Sequence, residues 1–216
     1  SKCLARRPVF FRRRESPMSD ENRNGPWTVK STETSFRNPW ISVESSDVIH
    51  PDGKDGIYGV VRFANFATGV LPIDEDGFTW LVGQHRFAFD AYSWELPEGG
   101  GRKDTSPQVS AARELEEETG LLAANWSEIG HWHLSNSVTD ERAFGYLAWG
   151  LSAGQTAPES SEELAVKRVK FSDLLAMCLS GEVTDAFTCL MVFAARAKAE
   201  AGDYPDEIAQ LLLDAG

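Results

Sequence analysis

Cysteine is scarce in this 216-residue chain: Cys3, Cys178 and Cys189 are the whole complement. Their spacing fits neither zinc ligation nor a disulfide framework. They read as buried or incidental thiols of a reducing compartment, which points to the cytoplasm. Histidine is nearly as rare, at four residues, and none falls in an H-E-x-x-H or comparable ligand pattern. No apolar run approaches the roughly 18 residues needed to span a bilayer, so no membrane partner is expected. Basic residues are also short, 21 against 33 acidic ones, for a net charge of −12. That balance argues against a nucleic-acid backbone as the main partner. A phosphorylated small molecule stays open, because a bound metal ion reverses the local sign.

What basic charge there is sits unevenly. Residues 1–17 hold Lys2, Arg6, Arg7, Arg12, Arg13 and Arg14 against Glu15 alone. This stretch reads either as a targeting segment, arginine-rich and acid-poor, or as an extension upstream of Met18. It is set aside as a basic N-terminal extension. The remainder, 42% hydrophobic over the whole chain, suits one large domain with a small appendage.

The most informative stretch is 99–121. A glycine loop, Gly99-Gly100-Gly101, leads into a helix that ends in carboxylates. Ser106 suits the N-cap, Pro107 the first helical position and Gly120 the stop. At about 100° per residue, Val109, Ala112 and Leu115 share an apolar face, and Glu114, Glu117 and Glu118 share the sector beside it. Side chains three and four apart on a helix are neighbours. Three such carboxylates repel one another unless a cation joins them. Mg²⁺ is the natural counter-ion, being a hard cation that also keeps waters and substrate phosphates in its shell. Mn²⁺ is the alternative. Arg113 sits beside Glu117 and is placed to orient it. Taken as an isolated E-x-E-E, the cluster would be a solvated acidic face; the glycines, the apolar stripe and the terminal Gly120 tip the balance.

This segment closely resembles the Nudix box: glycine, five residues, glutamate, seven residues, then R-E-U-x-E-E-x-G-U with U aliphatic. Gly99, Arg113, Glu114, Leu115, Glu117, Glu118, Gly120 and Leu121 fall in register, while Thr105 stands where the family has glutamate. The resemblance implies metal ligation by Glu114, Glu117, Glu118 and the backbone carbonyl of Glu98. The preceding W-E-L-P-E-G-G, Trp94 to Gly100, is similar to the ADP-ribose pyrophosphatase branch. Free N–H groups at the glycines, Gly99 and Gly100 first, next to a helix N-terminus favour bound anions.

Two more segments look like that branch. Gln84-His85-Arg86 resembles Q-Y-R, which implies that Arg86 clamps substrate phosphate; on residue chemistry alone, a surface ion pair is equally open. Ser135 to Arg142 is similar to S-P-G-x-T-D-E-x, which implies Glu141 as the residue that positions or deprotonates the attacking water; a helix glutamate, Glu117, is the alternative catalytic base, beside Arg113. Asn136 and Ser137 replace the family's Pro-Gly, which opens nucleoside diphosphate sugars other than ADP-ribose. Phe36, Trp40 and Arg62 are able to stack on a base but read first as core or dimer contacts.

Along the chain, 27–66 reads as two or three strands with turns at Asn38-Pro39 and Pro51-Asp52-Gly53. Strands near 69–73 and 78–84, joined at Asp74 to Gly77, suggest a hairpin. Strands follow near 126–134, 142–151 and 164–170, with a polar loop at 154–163. Helices are expected at 171–179, 183–198 and 206–214. The pattern is α/β around one mixed sheet. The resemblance implies the Nudix α/β/α sandwich, residues 67–216, preceded by a small N-terminal β subdomain at 18–66 through which relatives often dimerise. The expected activity is metal-dependent cleavage of a nucleoside diphosphate sugar into a nucleoside monophosphate and a sugar phosphate. The alternatives are a non-catalytic nucleotide-sugar binding module and a hydrolase of another nucleotide diphosphate derivative.

Overall fold

The computed structural model describes residues 22–155 and 164–214. The basic extension at 1–17, and all but the first two residues of the polar loop expected at 154–163, lie outside the described residues. The described chain opens with four strands: β1 (Arg23–Asn24), β2 (Trp27–Arg37), β3 (Ile41–Ile49) and β4 (Asp55–Phe63). They form an antiparallel meander in chain order. At the β2–β3 turn the Asn38 side-chain oxygen accepts the N–H groups of Trp40 and Ile41, at 2.9 and 2.8 Å, the self-bonding that makes asparagine a turn residue.

Ala64 alone separates β4 from β5 (Asn65–Pro72), so the break between the N-terminal sheet and the next one falls there. β5 lies inside a mixed sheet of order β8-β5-β10-β9, with β8 at Glu98–Arg102, β9 at Leu121–His133 and β10 at Arg142–Ala153. It runs antiparallel to β8 and parallel to β10. Both of its faces are covered. Val70, Tyr146 and Ala148 point to one side and pack with Ala111 and Leu115 of α1 (Pro107–Thr119). Leu71 and Leu147, one residue out of phase, point to the other side. There they meet α2 (Phe171–Ser180), α3 (Ala186–Ala201) and α4 (Asp206–Leu213), through Phe171, Leu174, Met191 and Leu212. A period of two thus serves two cores, and the result is the expected α/β/α sandwich.

The expected single sheet is, however, two. β6 (Phe78–Arg86) pairs with β7 (Ala91–Glu95) and with β11 (Ala165–Lys170) in a separate antiparallel sheet. The expected hairpin is therefore corrected. The Asp74–Gly77 turn forms, with Asp74 N–H on Phe78 O and Gly77 N–H on Asp74 O, both 3.0 Å. Beyond the turn the strands part, because β8 and β10 occupy both edges of β5 while β7 and β11 occupy both edges of β6.

α1 starts and stops where its punctuation says. Pro107 opens it, and Gly120 closes it at φ 70°, donating its N–H to Glu116 O at 2.8 Å. Ser106 occupies the N-cap position, yet its hydroxyl makes no capping bond. The buried face differs from the expected one. It comprises Ser110, Ala111, Glu114, Leu115 and Glu118, while Val109 is 61% exposed. The helix is rotated so that two glutamates turn into the protein. Cys178 is buried and Cys189 half-buried; both are free thiols, and they lie close enough to interact. Among the described residues no helix is long and apolar enough to cross a membrane.

Candidate active site

The glycines expected as a loop are a strand. Gly99, Gly100 and Gly101 pair with Thr68, Ala67 and Phe66 of β5. Glycine is a poor strand former, and the reason for it here is close approach. A Cβ on Gly99 would lie 2.4 Å from Glu114 Cδ, and one on Gly101 would lie 2.1 Å from Phe66 Cε2 and 2.8 Å from Ser110 Oγ. The bare backbone of β8 lets α1 lie directly against it and brings the Glu114 carboxylate to the strand. Gly100 is under less pressure, with Asn65 Nδ2 at 3.4 Å.

Arg113 ties helix to strand. Its guanidinium bonds to Glu114 and Glu117, and also donates to Gly100 O at 3.0 Å. Glu118, buried, accepts the Glu98 N–H at 3.1 Å. Glu98 therefore joins two acidic groups. Its backbone meets Glu118 of the helix, and its side chain belongs to a second set: carboxylate oxygens of Glu95, Glu98 and Asp185 lie within 4.8 Å of one another. Arg86 braces that set, bonding to Glu95 through Nε at 2.9 Å and through Nη2, with Glu98 Oε1 at 3.7 Å.

A cleft of about 560 Å³ opens over this ground, lined among others by Arg86, Glu98, Gly99, Gly100, Glu141 and Asp185. Five of the residues singled out in the sequence thus line one cleft; Arg113, Glu114, Glu117 and Glu118 are not in its lining but lie on α1, which meets β8 at Glu98, Gly99 and Gly100. Residues 65–186 match the NUDIX domain, and residues 27–61 match the nucleoside diphosphate sugar hydrolase N-terminal domain.

The chain belongs to the Nudix family.

An ADP-ribose pyrophosphatase of Bacillus subtilis (strain 168) is 32% identical over 159 residues, which cover 73% of this chain and 85% of that protein. A methanol dehydrogenase activator of Bacillus methanolicus is 30% identical over 152 residues, covering 70% and 78%. The crystal structure of an ADP compounds hydrolase superposes with a TM-score of 0.74 over 82% of this chain and 95% of that one; at 20% identity it shares the fold.

The electrostatics of this Nudix cleft follow from burial. Glu98 is pushed well above the usual carboxylate range, by desolvation first and then by Asp185 and Glu95. Asp185 is raised mainly by burial as well. Burial also acts to raise Glu95, but its bonds to Arg86 and Ser93 outweigh it and leave the carboxyl low. Glu98 Oε2 is buried with no hydrogen-bond partner. An orphaned carboxylate oxygen beside further carboxylates is an all-oxygen donor set, which suits a hard divalent cation. The resemblance assigns the metal to a neighbouring set, Glu114, Glu117, Glu118 and the Glu98 carbonyl, joined to this one at Glu98; it too offers only oxygen donors, which fits a divalent cation.

Two members of this constellation escaped the sequence reading. Glu95 lies inside the W-E-L-P segment but reads as strand. Asp185 stands 90 positions further on. The signal for Asp185 is capping: it precedes an apolar-periodic run, and its side chain accepts Thr188 N–H at 2.6 Å at the start of α3. Thr188 Oγ1 in turn accepts Leu96 N–H at 3.0 Å, so the head of α3 is bonded to the turn between β7 and β8. His131, exposed, contacts Glu128 at 3.1 Å on β9, outside the cleft lining.

Proposed function

We propose that this Nudix hydrolase cleaves the diphosphate of a nucleoside diphosphate sugar such as ADP-ribose, giving a nucleoside monophosphate and a sugar phosphate. The observation that carries the reading is the cleft lined by Arg86, Glu98, Gly99, Gly100 and Glu141, with Glu118 of α1 bonded to the Glu98 backbone beside it. The match of residues 27–61 to an N-terminal domain of nucleoside diphosphate sugar hydrolases supports the substrate class.

In this reading Glu114, Glu117, Glu118 and the Glu98 carbonyl hold Mg²⁺ or Mn²⁺. When bound, the metal supplies charge neutralisation for the diphosphate and a lowered pKa for a water. The chain's own groups do the rest. Arg86 presents its remaining donors to phosphate oxygens while Glu95 grips one edge of the guanidinium; forked donors suit that task. The Gly99–Gly100 backbone allows the substrate close to the strand. Arg113 holds Glu117 and Glu114 in place. Glu141 takes the proton from the attacking water. Its carboxyl is held above the usual range, by burial first and then by Asp140 and Asp185, which strengthens it as a base.

We place the enzyme in the cytoplasm as a homodimer joined through the N-terminal sheet, a unit expected to span residues 18–66 against 67–216 for the hydrolase unit. That sheet leaves Phe36 and Ile57 exposed, at 52% and 73%. The deciding experiment is turnover on ADP-ribose, GDP-mannose, UDP-glucose and ATP with Mg²⁺ or Mn²⁺, with and without EDTA, products resolved by chromatography. Chelator-sensitive cleavage of one diphosphate sugar is expected. Silence across the panel with tight binding of one member would replace catalysis by a binding module.

A further inference from the structure

The loop between β9 and β10, which carries Glu141, is fastened to the N-terminal sheet. Val61 of β4 and Thr139 form a parallel bridge. Val61 N–H donates to Val138 O at 2.8 Å, and Asp140 N–H donates to Val61 O at 3.2 Å. The Tyr58 hydroxyl donates to Ser137 O at 2.8 Å. Asp140 closes the attachment: its Oδ1 accepts Phe63 N–H at 2.8 Å, and its Oδ2 faces Arg62 Nη1 at 3.8 Å. Arg62 is held from behind by Glu44 of β3 at 2.9 Å.

These contacts differ in strength. The Arg62–Asp140 pair is long and partly solvated, a geometry that contributes little. The Phe63 N–H bond is partly buried and has a charged acceptor, which makes it the stronger fastening. Phe63 also lines the cleft together with Glu141. Glu141 itself donates its N–H to Thr139 Oγ1 at a long 3.4 Å, so its placement depends on its neighbours.

We propose that Asp140 is a positioning residue: clamped to the last residue of β4, it holds the loop so that Glu141 stands over the cleft. The N-terminal sheet is then part of the catalytic apparatus of its own chain. The inference rests on Glu141 as the base. Misplacing a reacting group by about 1 Å costs up to about 100-fold in rate, which sets the scale of the effect.

The test compares Asp140→Ala, Asp140→Asn and Glu141→Gln in the full chain, reading kcat, KM and hydrogen exchange of residues 61 and 138–140. Asp140→Ala is expected to lower kcat about ten- to a hundredfold with KM within about twofold, and to speed exchange across the bridge. Asp140→Asn keeps an oxygen for the Phe63 N–H and is expected to recover most of the turnover and the protection. Parental turnover in Glu141→Gln would remove the base assignment and this inference with it. A dead Glu141→Gln beside a fully active Asp140→Ala would overturn the positioning role alone. So would a loss of kcat in Asp140→Ala with unchanged exchange.

Discussion

A methyl group at Gly99 should damage this protein more than one at Gly100, although only one position separates them. The added Cβ at 99 would meet all three atoms of the Glu114 carboxyl group, Cδ at 2.4 Å, Oε1 at 2.5 Å and Oε2 at 2.6 Å. Carbon and oxygen do not share that space, so the carboxylate or the strand must retreat by about 1 Å from such contacts. Glu114 has little room to retreat, being buried and bonded to Arg113. Overpacking of this kind costs about 1–3 kcal/mol. Near 2 kcal/mol, a chain of this size should lose about 4–8 °C in Tm. Turnover should fall further, toward about 100-fold, because the displaced group belongs to the proposed metal site. At Gly100 the nearest atom stands at 3.4 Å, so Gly100→Ala should keep its Tm and kcat and change KM alone. Calorimetry and steady-state kinetics on the two variants decide the matter. Equal damage at both positions would mean that the glycines serve an approaching phosphate rather than the packing of α1, and parental behaviour of Gly99→Ala would refute the steric argument outright.

Glu118→Gln should lower kcat roughly 100-fold or more with Tm kept; turnover within a few-fold of the parent would end the assignment of the box glutamates. The pH profile should show the raised carboxyl of Glu141. A base acts ionised, so kcat/KM falls as pH drops through that raised value, above the usual ~4.3. Asp140→Asn removes one of the charges that raise it, so the acid limb should move to lower pH, and an upward shift would contradict the assignment. Thr188→Val keeps the shape of a wholly buried side chain but strands the Leu96 N–H that Thr188 accepts. A loss of about 1–3 kcal/mol is expected by denaturant unfolding, and none would show that the bond carries no weight.

The parts of this fold that were legible are those written in local chemistry. Pro107 and Gly120 bound α1 because each has a fixed conformational preference at a helix end. The apolar spacing of Phe187, Leu190, Met191 and Ala194 marks α3 because the helix must bury one stripe. Non-local choices were hidden. Nothing in residues 69–84 says that the two strands will separate, since that depends on β8, β10, β7 and β11 claiming their edges. Gly99 to Gly101 look like a loop because their strand is made by β5 and by the needs of a carboxylate, not by their own propensity. Val109 looks like core until Glu114 and Glu118 are seen to take the inward face. At the site, Glu114, Glu117 and Glu118 are readable because a helix brings near neighbours together. Glu95 and Asp185 meet only through the packing of α3 against the β7–β8 turn.

Arg113 has a consequence for assembly. By sharing its guanidinium among Glu114, Glu117 and the Gly100 carbonyl, it gives the acidic helix a built-in counter-charge. The helix can therefore dock on β8 before any ion arrives. In small zinc modules, by contrast, ion binding and folding are a single event. If the proposed metal site is right, the two would be separate steps here: an ion would enter and leave a framework that is already standing, and its exchange would not expose the chain to unfolding.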